Sequence, residues 1–230
     1  VAHFYPYGST GGGQYPIHHG VEFVNDEGTP IIAAAAGRVI VAGPDHQQAF
    51  GPQTDFYGLL VVVQLDKTYR DQTVYNLYGH MSSVQAQVGE HVEAGQVLGR
   101  VGMTGVALGP HLHFEVRVGA NTYTHNRNPE LWLQARPRNG TIAARVLDQD
   151  GRPAHESLAT LQREGEDKIY REATTYPTTE VNADDVWDEN LVLGDVPAGQ
   201  WKLAVRVGKR TLVQDVTVVP GKLTLLTLQP

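Results

Sequence analysis

Apolar positions along this chain fall in short runs and never settle into a helical rhythm. Residues 37–43, 59–65, 73–78 and 112–118 are β-branched or alternating stretches bounded by Gly, Pro, Asp and Asn, the pattern of strands closed by turns. One helical turn is expected near residues 129–133, where Pro129 suits a first helical position. The spacing predicts an all-β, antiparallel architecture, not alternating βαβ units. A polar, turn-rich stretch, Arg136-Pro137-Arg138-Asn139-Gly140, reads as a linker. Beyond it, apolar runs over 141–147, 190–205 and 213–228 are spaced as in a β-sandwich, and the polar stretch 175–188 reads as a long loop. The expected organisation is a compact β-domain over 1–136 and a small β-sandwich over 137–230.

Composition narrows the function. Of 230 residues, 41% are hydrophobic and 19% charged, which is a packed globular chain and not a disordered one. A net charge of −7 and the absence of any basic run exclude general nucleic-acid binding. Cysteine is absent, which removes disulfides, thiolate nucleophiles and cysteine metal sites together. No apolar run approaches the ~20 residues of a membrane-spanning helix. The start, Val-Ala-His-Phe, has neither Met nor a signal-peptide pattern, so the chain reads as a mature or trimmed fragment. Nothing in the sequence specifies an oligomeric state. Nine of the ten histidines precede residue 137, which places the candidate chemistry in the first domain.

Three pieces carry that chemistry. In Gly109-Pro110-His111-Leu112-His113-Phe114-Glu115, an extended backbone puts His111 and His113 on one face and Leu112 and Phe114 on the other. Paired imidazoles over an apolar floor suit a metal such as zinc; taken alone, two solvent-facing polar residues fit the pattern equally. In His18-His19-Gly20-Val21-Glu22, positions 18, 20 and 22 share a face when extended, with Gly20 leaving space; His19 then points away, toward a local hydrogen bond or solvent. In Tyr75-Asn76-Leu77-Tyr78-Gly79-His80, a strand runs into a loop with His80 at its end.

Taken in order, these pieces resemble the lysostaphin-type (LytM-like) zinc metallopeptidases. Glu27-Gly28-Thr29-Pro30-Ile31-Ile32 followed by Gly37-Arg38-Val39 looks like the family's early hairpin. The stretch from Val88-Gly89-Glu90-His91-Val92 to Val97-Leu98-Gly99-Arg100-Val101-Gly102 looks like its late one. The resemblance covers about residues 4–133. It implies a compact antiparallel domain with a narrow groove, acting on peptide bonds of bacterial cell-wall peptidoglycan outside the cytoplasm. It also implies Zn2+ held by His18, Glu22 and His113, with His80 and His111 as the catalytic pair. Three protein ligands leave one tetrahedral position open, the arrangement of a catalytic site. One of the pair, His111 by preference, would be the general base, and the other would hydrogen-bond the developing oxyanion. Glu22 stands where the family usually has Asp, one methylene longer. The alternative is a catalytically silent module that binds cell wall, or regulates another wall hydrolase, through the same groove.

Other features are weighed beside these. The late hairpin also resembles biotinyl and lipoyl carrier domains, but no Lys occupies its tip. Glu115 either buttresses a metal ligand or is an ordinary surface carboxylate. Tyr5 and Tyr7 line the groove or pack the entrance strand. The polar loop 45–57 borders the site, with His46 as an additional candidate. The segment after residue 137 resembles transthyretin-like (carboxypeptidase-regulatory-like) sandwiches through Val146-Leu147-Asp148-Gln149-Asp150-Gly151 and Val196-Pro197-Ala198-Gly199-Gln200-Trp201.

Overall fold

The computed structural model describes residues 1–178 and 180–230. Contacts divide the chain into two compact units, Val1–Pro6 with His19–Arg127, and Tyr7–His18 with Asn128–Pro230. The architecture is nearly all β, as the periodicity indicates. Among the described residues, helix is confined to two 3-10 turns, Tyr123–His125 and Pro129–Leu131. The second has Pro at its start, and the Asn128 side chain accepts a hydrogen bond from the Glu130 backbone N–H, relieving one of the donors a helix start leaves unmet. Among the described residues, no helix is long and apolar enough to cross a membrane.

The first unit holds nine strands, β1 (Val21–Val24), β2 (Pro30–Ile32), β3 (Gly37–Pro44), β4 (Leu59–Leu65), β5 (Val74–Val84), β6 (His91–Val92), β7 (Val97–Val101), β8 (His111–Val118) and β9 (Asn126–Arg127). Their backbone order is β1-β8-β5-β4-β3-β6, with β7 bridging β2 and β5 and β9 beside β8. Its side chains explain why β4 is central: Leu60, Val61, Val62 and Val63 are all fully buried, as expected of a strand covered on both faces. Leu60 and Val62 join Phe50, Tyr57 and Leu77 in one apolar cluster.

Two expectations are corrected here. The early and late hairpins are not hairpins. Strand β2 pairs with β7 (Ile31 opposite Gly99), and β3 pairs with β6 (Gly37 opposite Val92). Each segment uses the other as its partner, which buries Ile31, Val39, Val92 and Leu98 between them. Strand β5, moreover, does not stop at Tyr78 but runs on to Val84. It continues because a bulge absorbs an extra residue: Gly79 and His80 together face Leu60, between the Leu59–Met81 and Val61–Tyr78 pairs. His80 adopts φ +60°, a conformation that costs a non-glycine residue roughly 1–3 kcal/mol. Such bulges re-aim a side chain.

The second unit contains β10 (Asn139–Val146), β11 (Leu158–Arg163), β12 (Ile169–Thr174), β13 (Leu191–Pro197), β14 (Gly199–Val207), β15 (Arg210–Val218) and β16 (Leu223–Leu228). They form a three-stranded sheet, β13-β10-β16, and a four-stranded one, β12-β11-β14-β15. Among the described residues of this unit, all strand pairs are antiparallel except β10 with β16. Ile142, Ala144 and Val146 from one sheet and Leu161, Leu203 and Val216 from the other share a core with Trp201. Tyr7 packs edge-on against Tyr176, ring centroids 5.2 Å apart, in a smaller cluster with Ala143 and Val192. Tyr7 is thus a core residue of this unit. The stretch 175–188 carries no strand among its described residues; Thr179 lies outside them.

One buried acid makes the stability of this unit depend on pH. The Glu189 carboxylate accepts hydrogen bonds from the Tyr176 hydroxyl (3.0 Å) and the Asp184 backbone N–H (3.0 Å). Burial nevertheless outweighs those bonds and pushes its pKa up to about 7. An acid whose folded pKa lies above its unfolded value of ~4.3 holds extra protons in the folded state, so stability falls as pH rises through that window. Between pH 5 and 8 the loss from this group is expected to be on the order of 2 kcal/mol. The non-ionisable Glu189→Gln should flatten the dependence. All three tryptophans, Trp132, Trp187 and Trp201, lie in this unit, so urea titrations followed by their fluorescence measure it. Equal slopes in the two proteins would count against the assignment.

Candidate metal centre

The site is organised by the register of β1 on β8. Glu22 lies directly opposite His113, and Val24 opposite His111, and directly opposed residues of an antiparallel pair project to the same face. Glu22 and His113 therefore meet because of strand pairing, across 91 residues of chain. On the other flank of β8, His113 faces Gly79 of β5, which places the bulged His80 next to it. His18 is set three residues ahead of β1. Gly20 is required between them. A Cβ there would stand 2.4 Å from the Phe114 carbonyl oxygen and 2.9 Å from His113 Nε2, so the space it leaves is filled by the His113 ring.

His18, Glu22 and His113 are all buried, and each offers one ligand atom such that the three lie within 4.8 Å of one another. His113 Nδ1 is 3.1 Å from Glu22 Oε1, close to the ~3.3 Å that separates two donors of a tetrahedral zinc with bonds of ~2.0 Å. Two imidazoles and one carboxylate form a donor set that zinc accepts. The residues thus fit the ion on both spacing and chemistry.

His80 and His111 stand beside this group, their ring centroids 4.8 Å apart. His80 Nδ1 donates to the Thr104 carbonyl (2.8 Å) and His111 Nδ1 to the Gly109 carbonyl (2.7 Å). A carbonyl can only accept, so each ring keeps its proton on Nδ1 and turns Nε2 toward the site. His111 Nε2 reaches Glu22 Oε2 at 2.8 Å. Burial, with His113 and His111 nearby, lowers the His80 pKa to about 4, so at neutral pH its Nε2 is a hydrogen-bond acceptor. Burial would lower His113 as well, but Glu22 first and the Glu115 hydrogen bond next raise it to about 9.

Behind His113 lies a group that motif spacing does not reveal. The surface reading of Glu115 is overturned: its carboxylate is fully buried, as is Arg117 two residues on. Burial alone would raise the Glu115 pKa, yet Arg117 and His113 outweigh it and hold the group well below the usual carboxylate range. Tyr57, from the loop before β4, donates its hydroxyl to Glu115 Oε1. The alternation His111, His113, Glu115, Arg117 was the available signal, since all four share one strand face. Both faces of β8 are covered, so that polar row is internal.

The remaining candidates lie elsewhere or in structural roles. His19 is buried, stacks on Tyr123 at 3.6 Å and places Nδ1 3.0 Å from the Tyr123 carbonyl. His46 sits on the exposed loop before β4 and contacts Asp55.

Residues 16–128 match the family model described as Peptidase family M23. Lysostaphin of Staphylococcus staphylolyticus is 32% identical over 131 residues, which cover 57% of this chain and 24% of that protein. The peptidoglycan DD-endopeptidase ShyC of Vibrio cholerae serotype O1 is 35% identical over 106 residues, covering 46% and 21%. This chain thus matches about a quarter or less of the length of these curated relatives. Among solved structures, the catalytic domain of lysostaphin from Staphylococcus simulans aligns with a TM-score of 0.45 at 29% identity, covering 56% of this chain and 84% of that one.

Proposed function

Because residues 16–128 match Peptidase family M23, we propose that this chain is a zinc-dependent endopeptidase that hydrolyses peptide bonds of bacterial cell-wall peptidoglycan outside the cytoplasm. The relatives named as lysostaphin and as a peptidoglycan DD-endopeptidase support the substrate class. The observation that carries the reading is the convergence of His18, Glu22 and His113 to within 4.8 Å beside two further histidines.

His18, Glu22 and His113 would hold the ion. Zinc, when bound there, lowers the pKa of a coordinated water toward ~7 and polarises a substrate carbonyl. His111 takes the general-base role, because the Gly109 carbonyl holds its Nδ1 proton and leaves Nε2 as the atom that faces the site and can take up a proton there. For His80 we propose a part other than the one expected from the sequence. With Nδ1 committed to Thr104, its neutral ring presents an acceptor, so it serves as the second proton carrier. It becomes a donor to an oxyanion only after taking up that proton. The structural part falls to the Gly109 and Thr104 carbonyls, which keep both rings in the tautomer that exchanges protons through Nε2.

We assign the peptidase to 1–136 and a transthyretin-like sandwich to 137–230. The end of the family match at residue 128 and the start of β10 at Asn139 support that boundary, although Tyr7–His18 groups with the second unit. The test of function is direct. Purified protein should contain stoichiometric zinc by elemental analysis and release new amino groups from purified cell wall, activity that a chelator removes. A zinc-free protein, or a zinc protein inert on every wall type, would sink the reading and favour a silent wall-binding module.

A further inference from the structure

The Glu115–Arg117–Tyr57 cluster has no part in the proposed chemistry and is costly to build. A buried ion pair is on average no more stabilising than apolar residues of similar volume. Glu115, Arg117 and Tyr57 are each fully buried, the first two on β8 between the apolar Phe114, Val116 and Val118. The cluster is fully hydrogen-bonded and directed at a single outlet. Arg117 Nε donates to Glu115 Oε2 at 2.7 Å, while Nη2 donates to the Phe50 carbonyl at 2.9 Å and to Tyr57 Oη at 3.2 Å. Nη1 donates to Asn121 Oδ1 at 3.1 Å. With Oε2 taken by the guanidinium, Glu115 turns Oε1 to Tyr57 and to His113 Nε2, 3.0 Å away.

We propose that Glu115, clamped by Arg117 and Tyr57, is a positioning residue that fixes His113 with its proton on Nε2 and its Nδ1 toward Glu22, and thereby sets the zinc affinity of the site. Each ring nitrogen faces a carboxylate, which can only accept, so the metal-free ring donates from both; when a metal takes the place of the Nδ1 proton, Glu115 keeps the other proton on Nε2 and with it the ring orientation. The other nitrogen is then the one aimed at Glu22 Oε1, 3.1 Å away. Carboxylates that take the outer N–H of a metal-binding histidine act in this way in zinc sites generally. The inference rests on the metal reading above.

The test uses the full chain and zinc itself. Zinc dissociation constants are measured by competition with a chromophoric chelator for wild type and Glu115→Gln. Absorption spectra of the cobalt-substituted proteins report ligand geometry, and metal-free melting reports the fold. Glu115→Gln is expected to weaken zinc binding 10–100-fold and to shift the cobalt bands, which a purely structural residue would not do in a folded protein. A zinc affinity within about threefold of wild type, with unchanged cobalt bands, overturns the inference. If Glu115→Gln does not fold, Tyr57→Phe carries the test through the same two measurements, with weaker binding and shifted bands in support and unchanged values against. A wild type that takes up no zinc overturns the metal reading and this inference with it, whereas a zinc-binding wild type with an indifferent variant overturns the inference alone.

Discussion

Replacing His113 with alanine is expected to reduce zinc from one equivalent to background, an affinity loss greater than the ~10–100-fold that follows removal of an outer partner. The residue is the hub of the site. Its Nδ1 is 3.1 Å from Glu22 Oε1 and its Nε2 3.0 Å from Glu115 Oε1, so its loss removes a donor and cuts the link to the cluster behind. Global unfolding is not expected. Glu115 keeps Arg117 and Tyr57 as partners, and Glu22 keeps His111 at 2.8 Å, so neither carboxylate is stranded. A stability cost of about 1–3 kcal/mol is in keeping with a few lost buried hydrogen bonds. Elemental analysis and thermal melting check both halves, and a variant that retains full zinc removes His113 from the ligand set.

The second large effect separates binding from chemistry. His111→Ala should keep its zinc and lose cleavage, with kcat down by ~10²–10⁴-fold, the range for a general base. His111 is not in the triad of converging ligand atoms, and its ring is anchored by the Gly109 carbonyl at the start of β8, so deletion leaves the β1–β8 register untouched. Amino-group release from cell wall, measured on variant loaded to the same zinc content, isolates the chemical step. Normal cleavage by the variant would transfer the base role to His80.

Much of this site was legible from spacing because it lies on extended backbone. The alternation in 111–118 places His111 and His113 on one face, and the structure has that strand from His111 to Val118. Strands 37–44 and 59–65 follow the apolar runs almost to the residue. What spacing does not contain is pairing. The exchange of partners between β2–β7 and β3–β6 depends on contacts far apart in sequence, and each arm taken alone reads as half of a local hairpin. The extension of β5 beyond His80 rests on a bulge at a residue with positive φ, which no propensity favours. Glu115 and Arg117 look like solvent-facing residues until Phe50 and Tyr57 close over them, because burial is a property of the neighbours. The family resemblance supplied the ligand set, while the tautomers came only from which carbonyl each imidazole meets.

The register of β1 on β8 also fixes when the site comes into being. Glu22 leaves the ribosome long before its partner, 91 residues further on, and all of that chain must be made before the two strands can pair. Strand β8 enters between β1 and β5, so the nascent sheet holds its first strand without a neighbour until residue 118 has emerged. Long-range pairing of this kind slows folding. It also ties the gathering of the metal donors to the closing of the sheet, so that an unfinished chain has no assembled site with which to cut.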